Sequence, residues 1–396
     1  MPIGRVLAIV LIVAQAACST TASPSPTTGP SAPASTVTPV ATTPSPTASP
    51  SAPAPTPTPA PSGGVYAATV SGQLAPSLAN LAPRVYVPNE LSGDVTVIDP
   101  LTYKVIGRFK TGLYPEHITP DWDLSRLFVS NMSSSTVTVL DPKTGRPVGN
   151  PISVTTPYDL YFTPDGKRTV VVNDYINPLN VKLNGLYFFD RRTWKQLGWV
   201  NIPWMGADDL DMSADGRYLL VSCEYSGMVA RVDTTSMKVT GSVRVGGLPR
   251  DVRLAPDGRH FLVTNESLGG VSVVDGVTMK VTRFIRTAAG AHGLEYNRDA
   301  TQVYVNNRSA GTISVVDVAS LTVVATWTVG GSPDEMVLTP NGQELWIANR
   351  YNNTATVVST ATGRVTHTIA VGAAPHGILY WPLPGTMSIG QNGNMR

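Results

Sequence analysis

Arg84-Val-Tyr-Val-Pro-Asn89, followed by Val95-Thr-Val-Ile-Asp99, is a phrase that this chain repeats. It returns as Gln302-Val-Tyr-Val-Asn-Asn307 with Ile313-Ser-Val-Val-Asp317, and in altered form several times between. The closing Asp falls at Asp99, Asp141, Asp190, Asp233, Asp275 and Asp317, with Ser359 in the seventh place. The intervals are 42, 49, 43, 42, 42 and 42 residues. A fixed period in the low forties, made of short β-rich runs, is the pattern of propeller blades.

Within one period the chain reads as four strands. Pro249-Arg-Asp-Val-Arg-Leu254 leads to the turn Ala255-Pro-Asp-Gly258, then His260-Phe-Leu-Val-Thr-Asn265, then Val271-Ser-Val-Val-Asp275, and finally Lys280-Val-Thr-Arg-Phe-Ile285. The turn recurs as Pro164-Asp-Gly166, Ala214-Asp-Gly216 and Pro340-Asn-Gly342. Pro presets the first turn position and Gly supplies a positive φ, so consecutive strands are joined tightly. The Asp ending each third strand opens a second turn by bonding its own backbone. Second-strand ends at Asn89, Asn131, Asn173, Cys223, Asn265, Asn307 and Asn349 give the same count of seven. The fold class is therefore all-β: a seven-bladed β-propeller of four-stranded antiparallel blades. The chain enters on a second strand, Arg84–Asn89, and leaves on a first strand, His376–Tyr380. Pairing of these N- and C-terminal strands closes the ring and leaves no open edge.

Outside the repeats the composition changes. Residues 19–83 contain no Asp, Glu, Lys or Arg and are rich in Pro, Ser, Thr and Ala. Such a segment cannot bury a core and favours extended polyproline II, which suits a tether. Before it, Arg5 precedes the apolar run Val6–Val13, too short for a bilayer span and typical of an export signal. Ala14, Ala16 and Ala17 ahead of Cys18 resemble a bacterial lipobox, although Gln15 stands where that motif usually has Leu. The expected organisation is a signal peptide over 1–18 with Cys18 lipidated, a disordered tether over 19–83, the propeller over 84–381 and a C-terminal tail over 382–396. The expected place is the outer face of the membrane or envelope. Cleavage at Ala14-Gln15-Ala16 and secretion is the alternative. The second cysteine, Cys223, lies in a strand and reads as a small buried hydrophobe. A net charge of +2 without any basic stripe excludes nucleic acid as a partner and limits membrane contact to the lipidated N-terminus. A monomer is expected.

The Tyr-Val-x-Asn phrase, the Pro-Asp-Gly turns and the Val-Asp strand ends resemble the YVTN-type β-propeller repeat family of bacterial exported and surface proteins. The resemblance covers Arg84 to Trp381 and implies the fold; for function it implies little, since this architecture serves many tasks. It is distantly similar to the haem-carrying propeller of cytochrome nitrite reductases, but no Cys-x-x-Cys-His segment for haem attachment is present. Lactonase propellers are a second distant likeness.

In a propeller the first strand of each blade lines the channel. The strand starts are Glu116-His117, Tyr158-Asp159, Asp208-Asp209, Arg250-Asp251, His292-Gly293, Asp334-Glu335 and His376-Gly377. They place His117, His292 and His376 with Glu116, Asp159, Asp208, Asp209, Asp251, Asp334 and Glu335 around one mouth. Both side-chain types bind divalent ions, although one residue per blade fixes no geometry. Solvated channel polarity is the plain alternative. The long interval between Asn173 and Asp190 enlarges the same face. No Gly-x-Ser-x-Gly elbow or Cys–His pair suggests a covalent nucleophile, and no catalytic residue is assigned. The expectation is a non-catalytic binding or scaffold module that recognises a protein, a wall polymer or a small ligand at the channel mouth. A metal-dependent, lactonase-like hydrolase is the alternative, as is a propeller that binds metal or, less readily, haem.

Overall fold

The computed structural model describes residues 64–174 and 184–396. The leader, Cys18, most of the proline-rich spacer and the bulk of the Asn173–Asp190 insertion lie outside the described residues. Seven antiparallel sheets succeed one another along the chain. The first blade runs, from the channel outward, Leu379–Trp381, Arg84–Asn89, Asp94–Asp99 and Lys104–Lys110. The second runs Pro115–Pro120, Leu127–Asn131 and Thr136–Asp141, with its outer edge divided between Arg146–Pro147 and Ile152–Ser153. The innermost strands of the other five are Asp159–Phe162, Ala207–Met212, Pro249–Leu254, Ala291–Tyr296 and Pro333–Leu338.

Local chemistry makes these hairpins. Asp99 Oδ1 accepts the Leu101 N–H at 2.9 Å, and Asp141 and Asp317 receive Lys143 N and Ser320 N in the same way. Gly166 adopts φ +65°, where a Cβ would also strike the Trp122 ring at 2.7 Å. The Asn of the repeated phrase is a brace. Asn131 Nδ2 donates to Thr138 Oγ1 at 2.9 Å, while its Oδ1 accepts Gly112 N at 3.0 Å. Asn307 repeats both bonds with Ser314 and Ala288. Cys223 takes this place in the fourth blade, fully buried and free. Blade faces pack on one another through Val, Ile and Leu, whereas outer strands such as Lys280–Arg286 are mostly exposed.

The ring closes through Arg84↔Trp381, Val85↔Tyr380 and Tyr86↔Leu379. The regular closing strand is thus Leu379–Trp381 rather than His376–Tyr380. Pro375 bridges Asn89 on its own, and His376-Gly377 loops out of the ladder between.

One further boundary differs from the sequence reading, and the tail takes a place the sequence did not specify. The spacer ends before Pro83, since Tyr66 and Leu78 are buried, Leu78 in the same core cluster as Val85 and Trp381. Tyr66 donates its hydroxyl to Leu254 O at 2.8 Å. Composition hid this, because a few apolar side chains, Val65, Tyr66 and Leu78, suffice to dock an otherwise polar segment. The tail, moreover, is not an appendage beside the disc. Ser388–Gly390 and Asn394–Met395 form a small hairpin, and residues 388–396 are all buried. Arg396 anchors it by donating to Asp211 Oδ1 at 2.8 Å and Met212 O at 2.7 Å. Gly390 lies where a Cβ would meet the Tyr161 ring at 2.2 Å. The hairpin tip, Gln391–Gly393, touches the innermost strands Pro115–Pro120, Asp159–Phe162, Pro333–Leu338 and Leu379–Trp381. The tail is a plug inside the channel.

Candidate functional site

The strand starts line the channel because the inner strands bulge there. Between the pairs Pro249↔Asn265 and Val252↔Val263, two inner residues, Arg250 and Asp251, oppose one neighbour. The same shift brackets Glu116-His117, Asp208-Asp209, His292-Gly293 and Asp334-Glu335. A bulge bends the strand and re-aims its side chains. At three of these bulges the partner residue reaches the next blade: Ser130 Oγ donates to Tyr158 O at 2.6 Å, Asn306 Nδ2 to Asp334 O at 2.9 Å, and Thr264 Oγ1 to His292 O.

The first member of each pair joins a charged cup. Asp334 is its hub, in contact with Arg308, 3.5 Å from Arg350 Nη1, and 3.7 and 3.9 Å from His292 and His376. Arg250 reaches Glu224 at 2.5 Å, Glu266 at 2.8 Å and Asp208 at 3.6 Å. His376 Nδ1 lies 2.8 Å from both Glu90 and Glu116, and Arg350 Nη1 lies 2.6 Å from Glu90. Five of these residues, Glu90, Glu224, Glu266, Arg308 and Arg350, were missed in the sequence. Each directly follows the residue that ends a second strand, so the signal was a fixed offset of one from the repeated phrase.

The second members lie against the tail and one another. Asp209 Oδ1 accepts Gln391 Nε2 at 2.7 Å, and Asn392 Nδ2 donates to Glu335 Oε2 at 2.9 Å. Asp251 belongs to the wall: it accepts Leu294 N from the next blade at 2.7 Å and lies 3.7 Å from Arg253. Asp211 and Glu295 stitch neighbouring blades in the same manner. The three histidines converge, with ring centroids 4.6 Å apart for His117 and His376 and 6.2 Å for His292 and His376. They do not form one ligand set. Atoms within 4.8 Å of one another group as His292, Glu335 and His376; as Glu90, Glu116 and His376; and as His117, Asp159 and Asp209.

Burial sets the electrostatics. It pushes Asp159, Asp209 and Glu335 well above the usual carboxylate range, with neighbouring carboxylates adding to the effect on Asp209 and Glu335. Asp208 is raised by burial although Arg250 opposes it. For Asp334 burial is outweighed by Arg308 above all, with His376 and Arg350 adding, and these hold it ionised. His117 and His292 are pushed well down by burial, helped by His376 and Arg308 respectively, and stay neutral. His376 is the exception. Burial and Arg350 lower its proton affinity, but Asp334, Glu116 and Glu90 outweigh them and raise it from 6.5 to about 10.

That shift has a pH signature. A group bound more tightly to its proton in the folded state stabilises fully below its ordinary pKa and loses that contribution as pH rises through the folded value. The window for His376 runs from 6.5 to about 10. Glu116, raised by burial and then by Glu90, acts in the same direction from lower pH. The neighbours facing His376 include Glu90, Glu116, Asp334, Arg350, His117, His292 and Tyr158. Denaturation midpoints of the parent should fall between pH 6.5 and 10, and the fall should be shallower in His376→Gln. Parallel curves would refute the assignment.

Comparison with known proteins places this geometry. Among solved structures, the chain is similar to Kuenenia stuttgartiensis hydrazine synthase, with 21% identity and TM-score 0.60 over 70% of this chain and 92% of that one. A functionally unknown protein from Desulfotomaculum acetoxidans DSM 771 aligns at 17% identity and TM-score 0.65, covering 75% and 98%. The dihydro-heme d1 dehydrogenase NirN, in complex with DHE, aligns at 16% identity and TM-score 0.58, covering 81% and 82%. At these identities the likeness is one of fold. No curated protein sequence matches significantly. The description YNCE-like beta-propeller fits residues 60–384, from the end of the spacer through the closing strand, and the chain belongs to that family.

Proposed function

We propose that the protein is an exported, lipid-anchored binding module, without catalysis of its own, that receives a partner at the channel cup. The observation that carries this reading is the rim. Leu91, Leu113 and Tyr351 are 71%, 66% and 70% exposed, and Tyr225 and Leu268, also exposed, lie in the loops that follow the second strands of the fourth and fifth blades. An apolar rim around a charged, largely desolvated centre has the makeup of a recognition surface. The cup itself is internally compensated, because Arg250, Arg308 and Arg350 each already meet carboxylates. Such mutual pairing favours recognition over a group poised to react. Partners of the right kind are a protein segment, a wall polymer or a small ligand that offers a polar group to the cup.

A photo-crosslinker at Leu113 should capture a discrete partner in intact cells. Leu91→Asp with Tyr351→Asp should abolish the adduct, whereas Ile106→Asp on an outer strand should spare it. Equal capture by all three would sink the reading. The rival hydrolase is met by assaying cyclic esters with Mn2+- or Zn2+-loaded protein, where no turnover above the uncatalysed rate is expected. Metal-dependent hydrolysis lost in His117→Ala would replace the binding reading, and a haem spectrum retained on purification would do so for a haem protein.

Anchoring is tested separately. Cys18→Ala should move the protein from the membrane fraction to the medium. An unchanged distribution would exclude the lipid anchor.

A further inference from the structure

Beneath the cup lies a cluster that partner recognition does not use. His117, Asp159 and Asp209 come from the second, third and fourth blades and are fully buried. The fold satisfies one side of each carboxylate. Asp159 Oδ1 accepts Leu160 N at 2.6 Å, and Asp209 Oδ1 accepts Gln391 Nε2 at 2.7 Å and the Tyr161 hydroxyl at 3.2 Å. The other side is left open. Asp159 Oδ2 and Asp209 Oδ2 have no hydrogen-bond partner among the described residues, and the buried ring of His117 has only the Asn392 side chain beside it. One ligand atom from each of the three residues lies within 4.8 Å of the other two.

We propose that this triad binds one divalent first-row transition ion, of the Mn2+ or Zn2+ class, inside the channel. Buried carboxylate oxygens without partners are rare and need an explanation, and these two belong to residues whose ligand atoms come together with that of His117. The strongest charged influences on Asp209 are Asp208, Asp251, Glu335 and Asp159, all acidic. Arg253, which also acts on Asp159, lies 3.7 Å from Asp251. A cation is what such a site lacks. Metal–nitrogen and metal–oxygen bonds of about 2.0–2.2 Å are reached from this spacing by small inward shifts. One imidazole with two carboxylates favours Mn2+, Fe2+ or Zn2+ over the all-oxygen sites of Mg2+ and Ca2+. The other two groupings, although Glu335 Oε1 and His376 Nε2 are also open, already hold counter-charges: Arg350 sits on Glu90, His376 Nδ1 is held by Glu90 and Glu116, and Glu335 takes Asn392. The plug completes the site from below. Gln391 orients Asp209, and its own Oε1, buried and unpartnered, is a further oxygen donor at hand.

The test uses the full-length protein in detergent, stripped by chelator and then equilibrated with Mn2+ or Zn2+ alone. After desalting, about one ion per chain should remain, with a raised thermal midpoint. Asp209→Asn and His117→Gln should each weaken binding by at least about tenfold and abolish the thermal rise. Asp209→Asn keeps the shape and the oxygen that accepts Gln391 Nε2, so its ion-free form should melt no lower than the ion-free parent. A merely structural role for Asp209 would lower that melt. If His117→Gln does not fold, Asp159→Asn replaces it with the same two readouts. The proposal is overturned if no ion is retained, if binding survives Asp209→Asn, if binding is lost only in His292→Ala, or if X-ray absorption at the bound metal finds no nitrogen ligand.

Discussion

Asp334→Ala should lower the unfolding free energy by about 3–5 kcal/mol, read as a shift in urea midpoint at constant slope. Asp334 is fully buried and faces Arg308, Arg350, His292 and His376 together. Breaking a buried pair leaves the surviving charge without water or partner, and here two guanidinium groups lose the same anion. Arg308 keeps Glu266 at 3.4 Å and Arg350 keeps Glu90 at 2.6 Å, which places the expected loss toward the lower end. Asp275→Ala provides the contrast. Its partner Arg259 is 48% exposed, so that ion pair should contribute little, and the loss should come mainly from the turn bonds donated by Val277 N and Thr278 N. A loss below about 1 kcal/mol for Asp334→Ala would mean that the cup is hydrated in solution and that Asp334 is no hub.

Trp381→Ala should cost about 3–5 kcal/mol, the range for emptying a buried aromatic site. Trp381 is 1% exposed and packs in the cluster that contains Val85, Tyr86 and Trp346. Trp346→Ala removes the same chemistry from the same cluster and should cost a similar amount. The two should differ in kind. Trp346 sits in a strand with covalent neighbours on both sides of its hairpin, whereas Trp381 ends the three-pair ladder that latches the ring. Only Trp381→Ala should speed hydrogen exchange in Arg84–Asn89 and open the C-terminal tail to protease. Identical exchange patterns for the two variants would show that the latch holds without its tryptophan.

Much of the scaffold was legible because it is written in short-range contacts. The turn at Pro164-Asp-Gly166, the Asp99 and Asp141 caps and the Asn131 brace each involve residues close in sequence, and each recurs at a period that can be counted. The strand starts could be listed for the same reason. Their roles could not. Nothing local separates Asp251, which stitches two blades, from Asp209, whose second oxygen is open; the difference is which residue of the neighbouring blade stands opposite. Glu90, Arg308 and Arg350 were overlooked although they occupy a regular place, because a turn was a sufficient account of the residues around them.

The sequence by itself determined seven repeats, four strands in each, and a ring closed by its two ends, since every hairpin is specified by neighbours within one period. Only the tertiary structure decided that the channel is plugged by residues 388–396 and that His117, Asp159 and Asp209 meet. Those residues are brought together by ring closure and by bulges that turn side chains inward, and the plug enters from the chain's far end. A repeat period cannot encode contacts between different repeats, which exist only once the whole circle has formed.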